Sequence, residues 1–137
     1  MDIFCIPDFI RELERLRKKN SYRDIDELLI KEFFGDIPIT IKSGDINLNQ
    51  SQIMPYIKRR VMGRGGYRIY FLLLVKNDII YLAFIHPKTG TFGSENIKTA
   101  ARTQFPKIIL EAIKSKKNLF RVTVDENKAQ LVFSPAT

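Results

Sequence analysis

The sequence predicts an α+β fold: an N-terminal pair of amphipathic helices, a strongly apolar central hairpin, and a last helix followed by a second hairpin. Three observations carry this. Apolar residues recur at helical spacing from Phe9 to Phe33. Two apolar runs, Ile69 to Val75 and Ile79 to Ile85, are joined through Lys76-Asn77-Asp78, the pattern of a buried antiparallel hairpin. Five cations (Lys58, Arg59, Arg60, Arg64 and Arg68) fall within eleven residues that hold no Asp or Glu and lead into that hairpin.

A chain of 137 residues, 45% apolar and 28% charged, reads as a single globular domain with a core of its own. The balance of 23 basic against 15 acidic residues, a net charge of +8, implies an anionic partner: nucleic acid, an acidic protein or a membrane surface. One cysteine, Cys5, excludes an intrachain disulfide and a zinc site built from thiolates; between Phe4 and Ile6 it reads as a core residue. No run reaches the eighteen or so apolar residues of a membrane span, so no membrane partner is expected. Asp2, Pro7 and Asp8 stand where a signal peptide needs positive charge and an apolar core, which makes the cytoplasm the expected compartment.

Residues 2 to 6 form a first strand, stopped by Pro7. From Asp8, a plausible N-cap, a helix presents Phe9, Leu13 and Leu16 on one face and ends in Arg17-Lys18-Lys19, which suits the helix dipole. A second helix follows, with Ser21 and Asp24 resembling a capping box, Tyr22, Ile25, Leu29 and Phe33 along its stripe, and Gly35 as a stop. The two make a helical hairpin whose apolar stripe must cover a sheet. Ile37 to Ile41 includes Pro38 and is an edge strand at best; Lys42 to Ser51 is a polar loop. In a strand from Tyr56 to Met62, Tyr56, Lys58 and Arg60 share one face, and Ile57, Arg59 and Val61 the other. Gly63, Gly65 and Gly66 bend the chain, with Arg64 at the tip, before Tyr67 to Val75, the central strand, where Arg68 and Tyr70 share a face. Pro87 to Asn96 reads as a loop. A helix fits Thr103 to Lys116, with Pro106 limiting how early it begins. Phe120 to Val124 and Ala129 to Phe133, around a turn at Asp125 to Lys128, form a terminal hairpin, read as a small extension.

Candidate chemistry is narrow. Cys5 and His86 lie 81 positions apart with nothing local to make them a dyad, and no His, Asp or Glu cluster has metal-ligand spacing, so neither metal nor cofactor is expected. What remains is Lys, Arg, Tyr and one His converging on a sheet. Such groups can cleave RNA without a metal. Attack of a ribose 2′-hydroxyl on its own phosphate needs a proton acceptor, cations for the extra transition-state charge, and a donor for the leaving oxygen. Arginine suits the second task, its planar fork holding two oxygens at once. The same residues can also simply grip a phosphate backbone or an acidic protein.

The order of elements, with Tyr56-Ile57-Lys58-Arg59-Arg60, then Gly66-Tyr67-Arg68-Ile69-Tyr70-Phe71, then Ile85-His86-Pro87-Lys88, resembles the RelE/ParE superfamily of bacterial toxin–antitoxin toxins over residues 1 to 98. Residues 99 to 137 are a helix and hairpin beyond that core. The resemblance implies a RelE-like curved antiparallel sheet with the helical hairpin on one face. It implies a messenger-RNA endonuclease acting on the ribosome, neutralised by an antitoxin with an acidic or amphipathic segment. By position, Lys58 and Arg60 would line the RNA groove, Arg68 would contact the scissile phosphate, His86 would move a proton, and Lys88 would be the late cation. Arg59, Arg64, Tyr67 and Tyr70 complete the expected nucleic-acid surface. The late tyrosine of RelE-type members has no counterpart, Phe92 lacking a hydroxyl. The alternative is a non-catalytic member of the fold: a gyrase inhibitor, as ParE-like members are, or a nucleic-acid-binding module.

Overall fold

The computed structural model describes residues 2–35, 41–61, 66–87 and 99–136. Strand β1 (Asp2–Cys5) leads directly into helix α1 (Pro7–Arg17). Pro7 does not merely stop the strand: it occupies the first helical turn, where its fixed φ suits a helix and its missing N–H is no loss. The N-cap position is therefore Ile6, and Asp8 lies inside the first turn. A 3-10 turn at Asn20–Tyr22 separates α1 from α2 (Ile25–Phe33). Asp24 stands at the N-cap of α2 but makes no side-chain cap, so the capping box read at Ser21 does not form.

Within the expected polar loop a two-residue strand, β2 (Ile46–Asn47), adds to β3 (Tyr56–Val61). The turn between them is built by its own side chains. Asn47 Oδ1 accepts from the Asn49 and Gln50 amides, Asn49 Oδ1 from Ser51 and Tyr56, and Ser51 Oγ from Ile53 and Met54. β4 (Tyr67–Leu74) and β5 (Ile79–Pro87) form the central hairpin. Helix α3 (Thr99–Ser115) begins ahead of the expected Thr103, carrying Pro106 in its interior, and is followed by β6 (Phe120–Asp125) and β7 (Gln130–Pro135). Ile37 to Thr40 and most of Pro87 to Asn96 fall outside the described residues.

The seven strands of the described residues form one sheet in the order β2-β3-β4-β5-β1-β6-β7. It is mixed, since β1 runs parallel to β5 while the other neighbours are antiparallel. The terminal hairpin is no appendage: β6 pairs with β1, and Val122 and Leu131 join the main core. That core lies on the first face, where α1 and α2 bury Phe9, Leu13, Leu16, Ile25, Leu29 and Phe33 against Ile57, Ile69, Phe71, Ile80 and Leu82. The second face carries its own cluster, in which Phe105, Ile109 and Ala112 of α3 pack on Tyr70, Leu72, Tyr81 and Ala83. Helices thus cover both faces. Among the described residues, no helix is long and apolar enough to cross a membrane.

Candidate functional site

The second face presents a row of cations at the β3 and β4 ends that meet the C-terminal end of β5. Arg60 is the register partner of Arg68, and Arg68 is the register partner of His86. One step along, Lys58 opposes Tyr70, which opposes Phe84. Paired residues of an antiparallel ladder point to the same side, so Lys58, Arg60, Arg68, Tyr70 and His86 leave one face together, neighbours standing about 5 Å apart across strands.

His86 reaches this face because of a bulge. The β4–β5 register shifts between Tyr70 and Phe71, leaving Ala83 as the extra residue on β5. Before the shift Ile80 and Leu82 point into the first-face core and Tyr81 away from it. Strict alternation would send Phe84 and His86 into that core. The added residue reverses the phase, so Ile85 enters the first-face core instead and His86 meets Arg68.

Arg68 is 8% exposed. Its guanidinium makes one long hydrogen bond, from Nη1 to the Tyr67 carbonyl at 3.5 Å, and among the described residues no carboxylate forms an ion pair with it. Burial lowers its pKa, the nearby charge of Arg60 adds to this, and Tyr70 acts in the opposite sense. A guanidinium this strongly basic stays protonated, so the cost falls on the fold: a desolvated cation beside a second cation. An anion with two or three oxygens would relieve both at once.

His86 is also buried, stacked on Tyr70 with ring centroids 5.8 Å apart and in contact with Phe84 at 6.2 Å. Phe84 stacks in turn on Phe105 of α3, at 5.1 Å, so the helix fixes the aromatic floor under the cations. His86 Nδ1 lies 2.9 Å from the Pro87 carbonyl. A carbonyl accepts and never donates, so Nδ1 carries the proton and Nε2 is the basic nitrogen of the neutral ring.

Two expected contact residues lie elsewhere. Arg59 points to the first face, 2% exposed, where it pairs with Asp45 (Nη2 to Oδ2, 2.8 Å) and Glu32 (Nη1 to Oε1, 3.3 Å) and lies 5.0 Å over the Phe71 ring. It ties the β2 loop and α2 to the back of β3, a structural role that follows from strand alternation. Tyr67 is likewise on the first face, fully buried against Tyr22 with centroids 5.8 Å apart. Its hydroxyl is pushed toward the neutral form by burial and then by the Asp24 carboxylate, although neither Tyr67 Oη nor Asp24 Oδ1 completes a well-aligned hydrogen bond. Arg64 and Lys88 fall outside the described residues. Cys5 is buried on the first face, its thiol held neutral by desolvation, and no group of three His, Cys, Asp or Glu side chains gathers into a ligand set among the described residues.

What sequence reading missed is the support. The Ala83 bulge left one trace, the loss of clean alternation through Ala83-Phe84-Ile85-His86. The alternating Asn47, Asn49 and Ser51 were a legible sign of a self-bonded turn. No family model matches this sequence, and no curated protein is significantly similar to it.

Proposed function

We propose that the chain is a toxin of the RelE/ParE type that cleaves RNA without a metal, acting on messages at the ribosome and held in check by an acidic or amphipathic segment of a partner protein. The observation that carries this reading is the buried Arg68, which forms no ion pair among the described residues and stands between Arg60 and His86 on one face. A cation held this way is poised for a phosphate, and a basic ring nitrogen one strand away is what separates phosphate chemistry from phosphate binding.

The roles in this reading are assigned by register. Arg68 and Arg60 hold the non-bridging oxygens and take up the charge that develops on the phosphorane. His86 accepts the 2′-hydroxyl proton at Nε2 as the 2′-oxygen–phosphorus bond forms; the fold buries that atom, so the step requires the face to open around His86 as RNA seats. We assign to Lys58, on the same face, the return of a proton to the 5′-oxygen as its bond to phosphorus breaks. The products are a 2′,3′-cyclic phosphate and a 5′-hydroxyl end. Tyr70 holds the imidazole by stacking.

The test is induction of the chain in a bacterial host beside an Arg68→Ala version, with messenger-RNA ends mapped afterwards. Growth arrest with new 5′-hydroxyl ends, both lost in the variant, supports the reading. Arrest with intact messages moves the target to gyrase or another protein, and no arrest overturns the toxin role.

A further inference from the structure

Strand β7 stands at the margin of the sheet, and its sequence, Gln130-Leu131-Val132-Phe133-Ser134-Pro135, carries no charge. An uncharged strand of six residues at a sheet margin is a template on which another strand can add. The backbone groups of alternate residues face outward. Here both outward groups of Leu131 are taken by side chains from the helical hairpin. Its N–H donates to Asp26 Oδ1 at 3.0 Å, and its carbonyl accepts from Arg17 Nη2 at 2.8 Å. Arg17 also donates from Nε to Asp26 Oδ2 at 2.8 Å, which locks the two caps together. Two positions on, Phe133 faces outward by the same period; two further, Pro135 has no N–H to offer. The opposite margin, β2, has two residues, too few to template a strand.

We propose that the Arg17–Asp26 pair is an edge guard, which closes β7 against strand addition by a second copy of this chain. Arg17 and Asp26 are nine positions apart, on different helices, and converge on the backbone N–H and C=O of one residue, 105 positions beyond Asp26. Simple attachment of α1 to α2 would need the ion pair alone. Capping both the donor and the acceptor of Leu131 removes one full repeat of the ladder that a second strand would use, and Pro135 removes the donor of another.

The variant that tests this is Arg17→Met with Asp26→Leu in the full chain. Apolar side chains of similar bulk keep the helices packed while baring the Leu131 N–H and carbonyl. Light scattering on the eluting protein should show the mass rising with concentration from that of one 15.9 kDa chain to that of two. Adding Val132→Lys, at an exposed position of the same strand, should return it to one. A double variant that is folded by circular dichroism yet monomeric at all concentrations overturns the proposal. So does a dimer indifferent to Val132→Lys. If the double variant does not fold, amide exchange in the wild type decides. The Leu131 amide should be protected and the Phe133 amide fast; a Phe133 amide as slow as that of Val132 means the edge is already covered, and the guard has no task.

Discussion

Arg60 and Arg68 are register partners in the β3–β4 ladder, so two guanidinium groups leave one face of the sheet side by side with no carboxylate between them among the described residues. A fold selected for stability alone would not keep that arrangement, because it desolvates one cation beside another. Arg68→Met therefore stabilises the free protein by roughly 1 kcal/mol, about 3–5 °C in Tm, and on the proposed reading also removes affinity for phosphate. Sulfate at about 10 mM raises the Tm of the wild type by mass action and leaves the variant where it was. Thermal melts of both proteins with and without sulfate measure this. An Arg68→Met protein that melts lower than wild type would make Arg68 a structural residue.

In the proposed reaction, His86 is the residue whose loss would separate binding from chemistry. In His86→Asn the amide nitrogen can still donate to the Pro87 carbonyl, as Nδ1 does, but the basic nitrogen is gone. If the chain cleaves RNA as proposed, cleavage falls by about 10²–10⁴-fold, the range expected for loss of a proton-transfer group, with RNA affinity retained. Single-turnover cleavage beside a filter-binding titration reads the two quantities separately. Equal losses in both would assign His86 to binding.

Arg59 and Arg60 are adjacent in sequence and point to opposite faces of the sheet. Removing Arg59 leaves Asp45, whose side chain is 3% exposed, without its main cation. Arg59→Met therefore costs about 3–5 kcal/mol in denaturant unfolding. Arg60→Ala, at an exposed position, changes stability by less than about 0.5 kcal/mol; if the chain binds RNA as proposed, the variant also weakens that binding and flattens its salt dependence.

The same pair shows how far the sequence could be read. Alternation from Tyr56 placed Arg59 with Ile57 and Val61 on one face and Arg60 with Lys58 on the other, and the structure keeps that division. Grouping Arg59 with the nucleic-acid surface set charge above periodicity. The helices were legible because their stripes are regular, as Phe9, Leu13 and Leu16 show. The parallel pairing of β1 with β5 and the entry of β6 beside β1 were not, since no local pattern encodes which strands meet across more than seventy residues. His86 could be picked out as the sole histidine, but its meeting with Arg68 depends on the phase reversal at Ala83, which becomes visible once the register is known.

Buried acids on both faces set the alkaline limit. Cys5, Tyr67 and Tyr81 each have a pKa raised in the fold, by desolvation first in every case; Asp24 adds to the effect at Tyr67 and Asp2 at Tyr81. A group whose folded pKa lies above its unfolded value stabilises fully below the unfolded pKa, and that contribution is lost as pH climbs from there toward the folded value. The loss therefore starts near the ordinary thiol and phenol values, about pH 8.5 to 10, and steepens above them. Thermal melts from pH 7 to 11 should fall on this limb, and Tyr67→Phe should flatten it by removing one acid. Because the Tyr67 hydroxyl is buried without a well-aligned partner, that substitution costs nothing at pH 7 and raises Tm slightly. A drop in Tm at pH 7 would show that the hydroxyl bonds Asp24 in solution, and would make Asp24→Asn destabilising by the same contact.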